Sequence, residues 1–456
     1  MLSEWKEFDG YARQRMNAFG VPGMAAGFTH EGQITHLTAY GQVCPKGDPT
    51  SVDTLFGIGS ITKSFTALAI LQLEEAGLLS TDDPVCRHLP HFRLQGEVGG
   101  REVRLSHLLT HSSGLPPSPA LEMCLEHPPD GSPAAIADYD ALTDYLADLD
   151  RPLLGPPGVF FSYSNEGYGL LGAVVEAVSG ETYSRYVEGR ILGPCGMTSS
   201  TFRNPGANGL ARATELYDVR QLAGGTEEVY PSPGWSDAPA MIGAGWLRAT
   251  VPDLLRYLQM YLGRGEIGGE RLLSAQGIAK MLRPRVETSP GRFYAYGFAV
   301  VRDFYGHDMV GHSGGLKGVG ADVGFIPELG LAGAALANLM GPAARQTVQG
   351  GLAFAMGLPA RPLHRDYPPF APQPARFRDY LGAYPSGEGE TYRTTLREGE
   401  LWLDDGTTAL ALQPVGEDAF VMRERDDETY VRFHRHGGQV RAVSVGTRMI
   451  LRVEPT

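Results

Sequence analysis

The stretch that decides the fold is Phe56-Gly-Ile-Gly-Ser60-Ile-Thr-Lys63, a turn of small residues that runs into the apolar segment 64–73. A serine and a lysine three positions apart project from one face of a helix, about one turn from each other. Because the segment that follows is apolar on nearly every side, we expect this helix to be buried in a core. Burial disfavours the ammonium form of lysine, so Lys63 in a dry pocket would act as the base that takes the proton of Ser60.

The spacing alone carries little weight, because Ser3 and Lys6 repeat it in a polar segment predicted to form a surface helix. Two solvated side chains are the ordinary interpretation of such a pair. The hypothesis for Ser60 therefore depends on its context, namely the Gly57 and Gly59 turn, the buried helix and two motifs further along the chain.

The first of these motifs is Tyr163-Ser-Asn165, which lies in a loop after Pro156-Pro-Gly158. A phenol, or a phenolate if positive neighbours lower its pKa, can relay a proton to a leaving group. The amide of Asn165 can hold a substrate carbonyl. In isolation, a tyrosine near an asparagine in a loop is usually structural.

The second motif is His312-Ser313-Gly314-Gly315. A strand so rich in glycine lets another backbone lie directly against it, as an extended substrate would. Its N–H groups can also point at a developing oxyanion. The fragment is weak alone, since His30-Glu-Gly32 has the same pattern inside a predicted hairpin turn.

Composition limits the classes of protein that fit. A chain of 456 residues has room for two or three domains, and 42% hydrophobic with 20% charged residues is typical of globular proteins. The formal charge of −13 argues against nucleic acid or an anionic membrane as partner. No apolar run reaches the roughly 20 residues that a membrane span needs. The N-terminus has neither a basic start nor an apolar run, so we expect no secretory signal and a cytoplasmic protein.

Neither a metal nor another cofactor is predicted. The four cysteines are scattered and are interpreted as free thiols, without the spacing of a zinc site or a disulfide framework. The histidines near Pro90 also fit no ligand set well, so structural or solvated roles are favoured for them; they are His88, His91 and His107.

The remaining patterns predict the organisation of the chain. A helix is expected at about 4–19, a hairpin over 23–29 and 34–41, a packed helix over 167–178, and further strands at 296–302, 320–326 and 331–338. The region from about 81 to 158 is rich in proline and lacks strand alternation, which favours a helical lobe. After a proline-rich connector, short alternating runs predict an antiparallel barrel or sandwich; they are 391–396, 400–403, 408–412, 419–422, 431–436, 440–445 and 449–453.

Taken together and in this order, the motifs resemble the serine β-lactamase and penicillin-binding-protein superfamily, in its class C-like branch. Two further segments, Leu108-Leu-Thr-His-Ser-Ser-Gly114 and Gly243-Ala-Gly-Trp246, are also similar to that branch. The resemblance implies an α+β fold: an antiparallel sheet flanked by helices, an all-helical lobe and a small antiparallel β-barrel behind them. The implied domains are a hydrolase domain (1–360; sheet lobe 1–80 and 240–360, helical lobe about 81–239), a linker (361–376) and a barrel (377–456).

The resemblance also implies roles for individual residues. Ser60 would be the acylated nucleophile, Lys63 its base, Tyr163 the proton relay and Asn165 a ligand for the substrate amide. The N–H groups of Ser60 and Gly315 would form the oxyanion hole, and the substrate would lie along the strand that carries Ser313 and Gly314.

His312 departs from the pattern, because many relatives have lysine at this position. Imidazole is largely neutral at pH 7 unless its pKa is raised, so it suits a substrate carboxylate less well than lysine does. Relatives with histidine here include DD-peptidases and D-aminopeptidases. Resistance to β-lactams is therefore the less favoured role.

The C-terminal region from about Phe377 resembles the lipocalin-like β-barrel appended to some of these hydrolases, where it borders the cleft. Arg448 or Arg452 on its last strand is a candidate for the carboxylate contact that His312 would not make. The alternative interpretation is an arginine on an exposed strand face.

The first functional hypothesis is a serine acyl hydrolase for short peptides or amides with D-configured residues near the reacting bond. An esterase, or a penicillin-binding-type thioesterase that cyclises peptides, would use the same acyl-enzyme. A sensor that is acylated once and never turns over is the hypothesis from a different class. The expected partner is a small peptide, amide or ester, without nucleic acid or membrane, and a homo-oligomer is left open.

Overall fold

The computed structural model describes residues 5–44, 47–94, 102–126, 134–205, 212–222, 227–232 and 234–453. Within these ranges, no helix combines the length and the apolar character needed to cross a membrane. The α-helices are Lys6–Ala18, Thr62–Glu75, Val85–His88, Leu105–Leu109, Ala120–Met123, Tyr139–Ala147, Asn165–Ser179, Tyr183–Val187, Gly193–Cys195, Ile242–Gly245, Val251–Leu262, Ala275–Leu282, Ala343–Ala355 and Phe377–Tyr380.

An eight-stranded antiparallel sheet forms the centre of the molecule. Its central strands are built largely from glycine, alanine and valine, and they are buried on both faces because helices cover each side. The strands, in spatial order, are Gln33–Gly41, Gly23–His30, Leu331–Ala337, Val319–Ile326, His307–Leu316, Ala299–Phe304, Arg292–Tyr294 and Val286–Ser289. The predicted hairpin, the three predicted strands and the α+β class are confirmed.

Helices pack on the two faces of this sheet. Lys6–Ala18 and Ala343–Ala355 share one hydrophobic core with the sheet, whereas Thr62–Glu75 and Val251–Leu262 belong to a second core on the other face. Three two-stranded pairs complete this part of the chain: Phe56–Gly57 with Arg248–Ala249, Tyr217–Gln221 with Glu227–Pro231, and Glu266–Ile267 with Glu270–Arg271.

The helical lobe is built around Asn165–Ser179, which packs against Thr62–Glu75. Ser164 caps this helix by accepting a hydrogen bond from the Gly167 N–H at 3.0 Å. The helix ends at Gly180, whose φ of +73° is the left-handed conformation that glycine adopts readily. The helical lobe therefore positions the loop before residue 165 beside the helix Thr62–Glu75.

The C-terminal region consists of antiparallel strands, as predicted, and its described residues form two sheets that do not close into a single barrel. The four-stranded sheet contains Gly382–Pro385, Thr391–Arg397, Glu400–Asp404 and Ala409–Ala411, and the five-stranded sheet contains Gln413–Gly416, Ala419–Glu424, Asp427–His436, Gln439–Val445 and Arg448–Leu451. Among the described residues, the ladder between the sheets is limited to one bridge, between Ala383 and Val453. Within the five-stranded sheet, Pro414 has no N–H to donate, and the pairing of Gln413–Gly416 with Ala419–Glu424 shifts register between Pro414 and Gly416.

The C-terminal sheets lie against the rest of the protein. Asp426 accepts a hydrogen bond from Arg15 at 2.6 Å, and Asp427 accepts one from Arg345, also at 2.6 Å. The stretch 359–373 that precedes them contains neither helix nor strand. The domain boundaries and the lipocalin-like resemblance stay predictions.

Candidate active site

Ser60 lies on a single 3-10 turn, Gly59–Ile61, immediately before the helix Thr62–Glu75. Gly59 has a φ of +50°, and a Cβ at this position would lie 2.8 Å from the backbone nitrogen of Gly315. A Cβ on Gly314 would in turn lie 1.9 Å from the carbonyl oxygen of Ile58. Only glycine permits this close approach of the two backbones. The approach places the backbone N–H of Gly315 next to the turn Gly59–Ile61, which carries Ser60. The oxyanion role of these N–H groups stays a prediction.

Lys63 has a fully buried side chain that makes three polar contacts. Its Nζ lies 2.8 Å from Asn165 Oδ1, 2.7 Å from the carbonyl oxygen of Ala244 and 3.1 Å from Ser60 Oγ. The first two atoms only accept hydrogen bonds, so a neutral amine donates to both and keeps its lone pair for the Ser60 hydroxyl. Burial, reinforced by the charge of Arg448, holds the pKa of Lys63 well below its usual value. The geometry is that of a base poised on Ser60.

Asn165 therefore contacts the lysine in this structure, whereas its predicted partner was the substrate amide. Its Oδ1 is the acceptor, and residue 165 is the first residue of the helix that packs against the nucleophile helix. The side chain keeps the Lys63 amine turned toward Ser60. Its contact with substrate stays a prediction.

Tyr163 packs against two basic side chains of the site, with Lys63 Nζ 4.8 Å and Arg448 Cζ 4.9 Å from its ring centroid. Burial raises its pKa above the ordinary value of a phenol, although a hydrogen bond with Ser60 and the charge of Arg448 oppose that rise. The positive charge near Tyr163 therefore does not lower its pKa enough to give a phenolate, the alternative that the sequence left open. Tyr163 is a neutral phenol here, able to donate and accept a proton.

The imidazole of His312 is neutral and fully engaged. Its Nδ1 donates to the carbonyl oxygen of Ser313 at 2.6 Å, which leaves Nε2 to accept from the Tyr294 hydroxyl at 2.9 Å. Burial and the charge of Lys63 lower its pKa to about 3, against the opposing effect of the Ser313 bond. The sequence correctly predicted a neutral ring, but gave no sign of Tyr294.

Ser313 points away from His312. Its hydroxyl donates to Asp322 Oδ2 at 2.5 Å, and burial raises the pKa of Asp322 to about 7. Both side chains line the same cavity as Ser60.

The last hairpin of the C-terminal sheets forms one wall of the site. The N–H of Tyr163 donates to the carbonyl oxygen of Thr447 at 2.9 Å, and the N–H of Met449 donates to Ser162 Oγ at 3.3 Å. Arg448, between them, lies in the site and is not on an exposed face. Its Nε donates to both oxygens of Glu388, at 2.9 and 3.0 Å.

Arg452, the other candidate, lies elsewhere. Its guanidinium donates to backbone carbonyl oxygens of Asp379 and Val440, at 3.1 and 3.4 Å, and also to that of Leu381. Of the two arginines, only Arg448 lines the cavity with Ser60.

These side chains surround one cavity of about 580 Å³. The cavity is bounded by the turn Gly59–Ile61, the loop that carries Tyr163, the glycine-rich strand His307–Leu316 and the hairpin that carries Arg448. Two of the predicted site residues, Lys63 and Gly314, are not part of the lining. Lys63 lies behind Ser60, and Gly314 packs against the backbone of Ile58 just before the turn Gly59–Ile61. Further lining residues that the sequence did not single out include Tyr294, Arg292, Asp322, Arg345, Gln349 and Glu388.

His111 and Glu166 support the site from behind. The His111 ring lies 4.0 Å from that of Tyr163, and its Nδ1 accepts from the Ser164 N–H at 3.0 Å. Glu166 accepts hydrogen bonds from Ser118 and Ser164, at 2.5 and 2.8 Å. His111 lies inside the segment Leu108–Gly114 and Glu166 directly follows Asn165, so their positions beside these motifs were the available signal.

The comparisons with known proteins agree with this geometry. A family model described as Beta-lactamase matches residues 8–356. Penicillin-binding protein 4 of Amycolatopsis lactamdurans is 28% identical over 325 residues, which is 70% of this chain and 81% of that protein.

Two solved structures match over nearly the whole chain. The octameric penicillin-binding protein homologue from Pyrococcus abyssi has a TM-score of 0.70 and 26% identity, covering 97% of this chain and 99% of its own. SurE has a TM-score of 0.71 and 24% identity, covering 99% of each chain. The chain belongs to the beta-lactamase family, within the serine β-lactamase and penicillin-binding-protein superfamily.

Proposed function

We propose that the protein is a serine acyl hydrolase that forms an acyl-enzyme at Ser60 with short peptides or amides. The observation that carries this proposal is the contact of 3.1 Å between Ser60 Oγ and the buried Nζ of Lys63. A serine becomes a nucleophile only when a neighbouring base takes its proton, and burial keeps the Lys63 amine available for that step.

The proposed reaction runs in two balanced halves. The Ser60 proton moves to Lys63 as Oγ bonds to the substrate carbonyl carbon, and the oxyanion is held by the N–H groups of Ser60 and Gly315. As the carbonyl re-forms and the C–N bond breaks, Tyr163 gives its proton to the leaving amine and recovers one from the Lys63 ammonium. In the second half, water gives a proton to the same relay and its oxygen displaces the Ser60 oxygen, which is protonated again.

Selectivity for D-configured residues is part of the proposal. SurE, which shares the fold, has been crystallised with D-Leu, and this makes D-configured substrates the first to test. Transfer of the acyl group to an amine or alcohol in place of water would use the same acyl-enzyme. An esterase differs from an amidase in its leaving group, an alcohol in place of an amine, whereas a peptide cyclase differs in its acceptor, which replaces water. Assembly of several copies is a further proposal, since the Pyrococcus abyssi homologue is octameric.

The test is intact-mass analysis after treatment with a fluorophosphonate, with the wild type compared to Ser60→Ala. The wild type should gain one adduct and the variant none. Ser64→Ala is the matched control, because the Ser64 hydroxyl donates to the carbonyl oxygen of Ile61 in the same helix, away from Lys63 Nζ. Equal labelling of Ser60→Ala would refute the proposal. Libraries of D- and L-peptide amides, esters and thioesters then identify the acyl group, and a stable adduct with every one of them would favour the sensor.

A further inference from the structure

Three arginines line the cavity, and they differ in how their charge is balanced. Arg448 is paired with Glu388, and Arg345 with Asp427 at 2.6 Å. Within the described ranges, the Arg292 side chain makes neither a hydrogen bond nor an ion pair. Among the described residues, Arg292 is thus the one cavity-lining arginine that is not in an ion pair.

Arg292 is also close to the reacting groups. It stands two residues before Tyr294 on the strand Arg292–Tyr294, a separation of about 7 Å along a strand. Tyr294 contacts His312 directly, and His312 borders the cavity that contains Ser60. A substrate acylated at Ser60 can therefore extend to this guanidinium.

The charges around Arg292 favour an anion. Burial lowers the pKa of Arg292, and the positive charges of Arg345 and Arg365 lower it further. The acidic group that acts on Arg292 is already paired, because Glu428 is bound to Arg423 and Tyr367. An anionic ligand in the cavity would therefore gain a charge-assisted hydrogen bond from a guanidinium that lies among other positive charges.

We propose that Arg292 is a carboxylate-binding subsite of the cavity, which selects substrates that carry a carboxylate on the part remote from the bond cleaved at Ser60. The carboxylate is either the C-terminus of a peptide or an acidic side chain. This inference rests on the proposed acyl-enzyme function and names its substrate class. It differs from the sequence-based expectation for Arg448, whose charge Glu388 already balances.

The experiment measures kcat/KM for matched peptides that differ in one group: a free C-terminal carboxylate against the amide, and Glu against Gln at the last residue. Wild type should prefer one of the carboxylates by at least about tenfold, the range of a charge-assisted hydrogen bond. Arg292→Gln should lose that preference because its rate on the carboxylate peptide falls, and Arg292→Lys should retain part of it. Arg365→Gln, a nearby arginine outside the cavity lining, should keep the preference.

The outcomes separate the subsite from the chemistry. The pair of peptides that discriminates identifies whether a C-terminus or a side chain is bound. Fluorophosphonate labelling of Ser60 in each variant reports the acylation machinery and correct folding. A preference that survives in labelled Arg292→Gln, or a wild type without any preference, would overturn the subsite alone. A wild type that is never labelled would overturn the proposed function and this inference with it.

Discussion

The helix Thr62–Glu75 and the C-terminal hairpin each bring a basic side chain, Lys63 and Arg448, to the ring of Tyr163, and the pKa values of these two side chains are shifted in opposite directions. Lys63 is buried without a bound carboxylate, and burial lowers its pKa. Burial alone would also lower the pKa of Arg448, but the charge and hydrogen bonds of Glu388 raise it. In the proposed mechanism these two environments have different uses: Lys63 can lose its proton and act as a base, whereas Arg448 stays a permanent cation.

The largest expected effect comes from replacing Lys63, the proposed base, with arginine, which stays protonated as Arg448 does. Lys63→Arg places a group that stays protonated beside Ser60, so the rate of Ser60 acylation should fall by about 10³-fold or more. Stopped-flow or quenched labelling with a fluorophosphonate measures this rate. Lys280→Arg is the matched control, because Lys280 pairs with Glu74 at 2.6 Å away from the cavity and should label normally. A Lys63→Arg variant that labels as fast as the control would show that the lysine is not the base.

Removing the proposed proton relay, Tyr163, should have the next largest effect. Tyr163→Phe keeps the ring that Lys63 and Arg448 contact but loses the hydroxyl, so kcat on an amide substrate should fall by about 10²-fold or more. Unfolding curves for the variant should match those of the wild type within the range of surface substitutions. Unchanged kcat would remove Tyr163 from the mechanism.

The Arg448–Glu388 pair predicts a cost in stability. Glu388→Gln leaves the Arg448 guanidinium inside the cavity without its counter-ion, and the free energy of unfolding should fall by about 1–3 kcal/mol. Urea denaturation measures this change, and the double variant Glu388→Gln with Arg448→Met should lose less than the sum of the two single losses. Strict additivity would mean that the pair is not coupled.

The smallest expected effect is a shift in pH dependence. The charge of Arg448 lowers the pKa of Lys63, so Arg448→Met should raise that pKa. Because the amine is active when unprotonated, the acidic limb of the acylation profile should move to higher pH, by less than about one unit. Arg452→Met, whose side chain lies outside the cavity, should leave the limb where it was. A shift to lower pH, or none, would contradict the coupling.

The sequence predicted the part of the site that is encoded locally. Ser60 and Lys63 are adjacent because helix geometry makes them so, and the glycines at 59 and 314 are required by backbone contact. The order of the three motifs then indicated the family and its sheet. These features are short in sequence and tolerate few alternatives.

The remaining features depend on pairings between distant segments. Glu388 lies in a loop of the C-terminal sheets, and Tyr294 reaches His312 from another strand, so neither residue carried a motif of its own. The antiparallel C-terminal strands were predictable because strand alternation fixes which residues form strands, but alternation alone did not decide between a barrel and a sandwich.

The pH dependence of Ser60 acylation tests the central claim most directly, namely that Lys63 is a neutral amine when the site is at rest. The second-order rate constant for fluorophosphonate labelling, measured from pH 5 to 11 with unfolding monitored in parallel, reports the fraction of unprotonated base. Because burial lowers the pKa of Lys63, the rate should reach its plateau well below 10.5, the ordinary value for lysine. A rate that keeps rising until that pH would mean that Lys63 is an ordinary ammonium, and the account would be wrong.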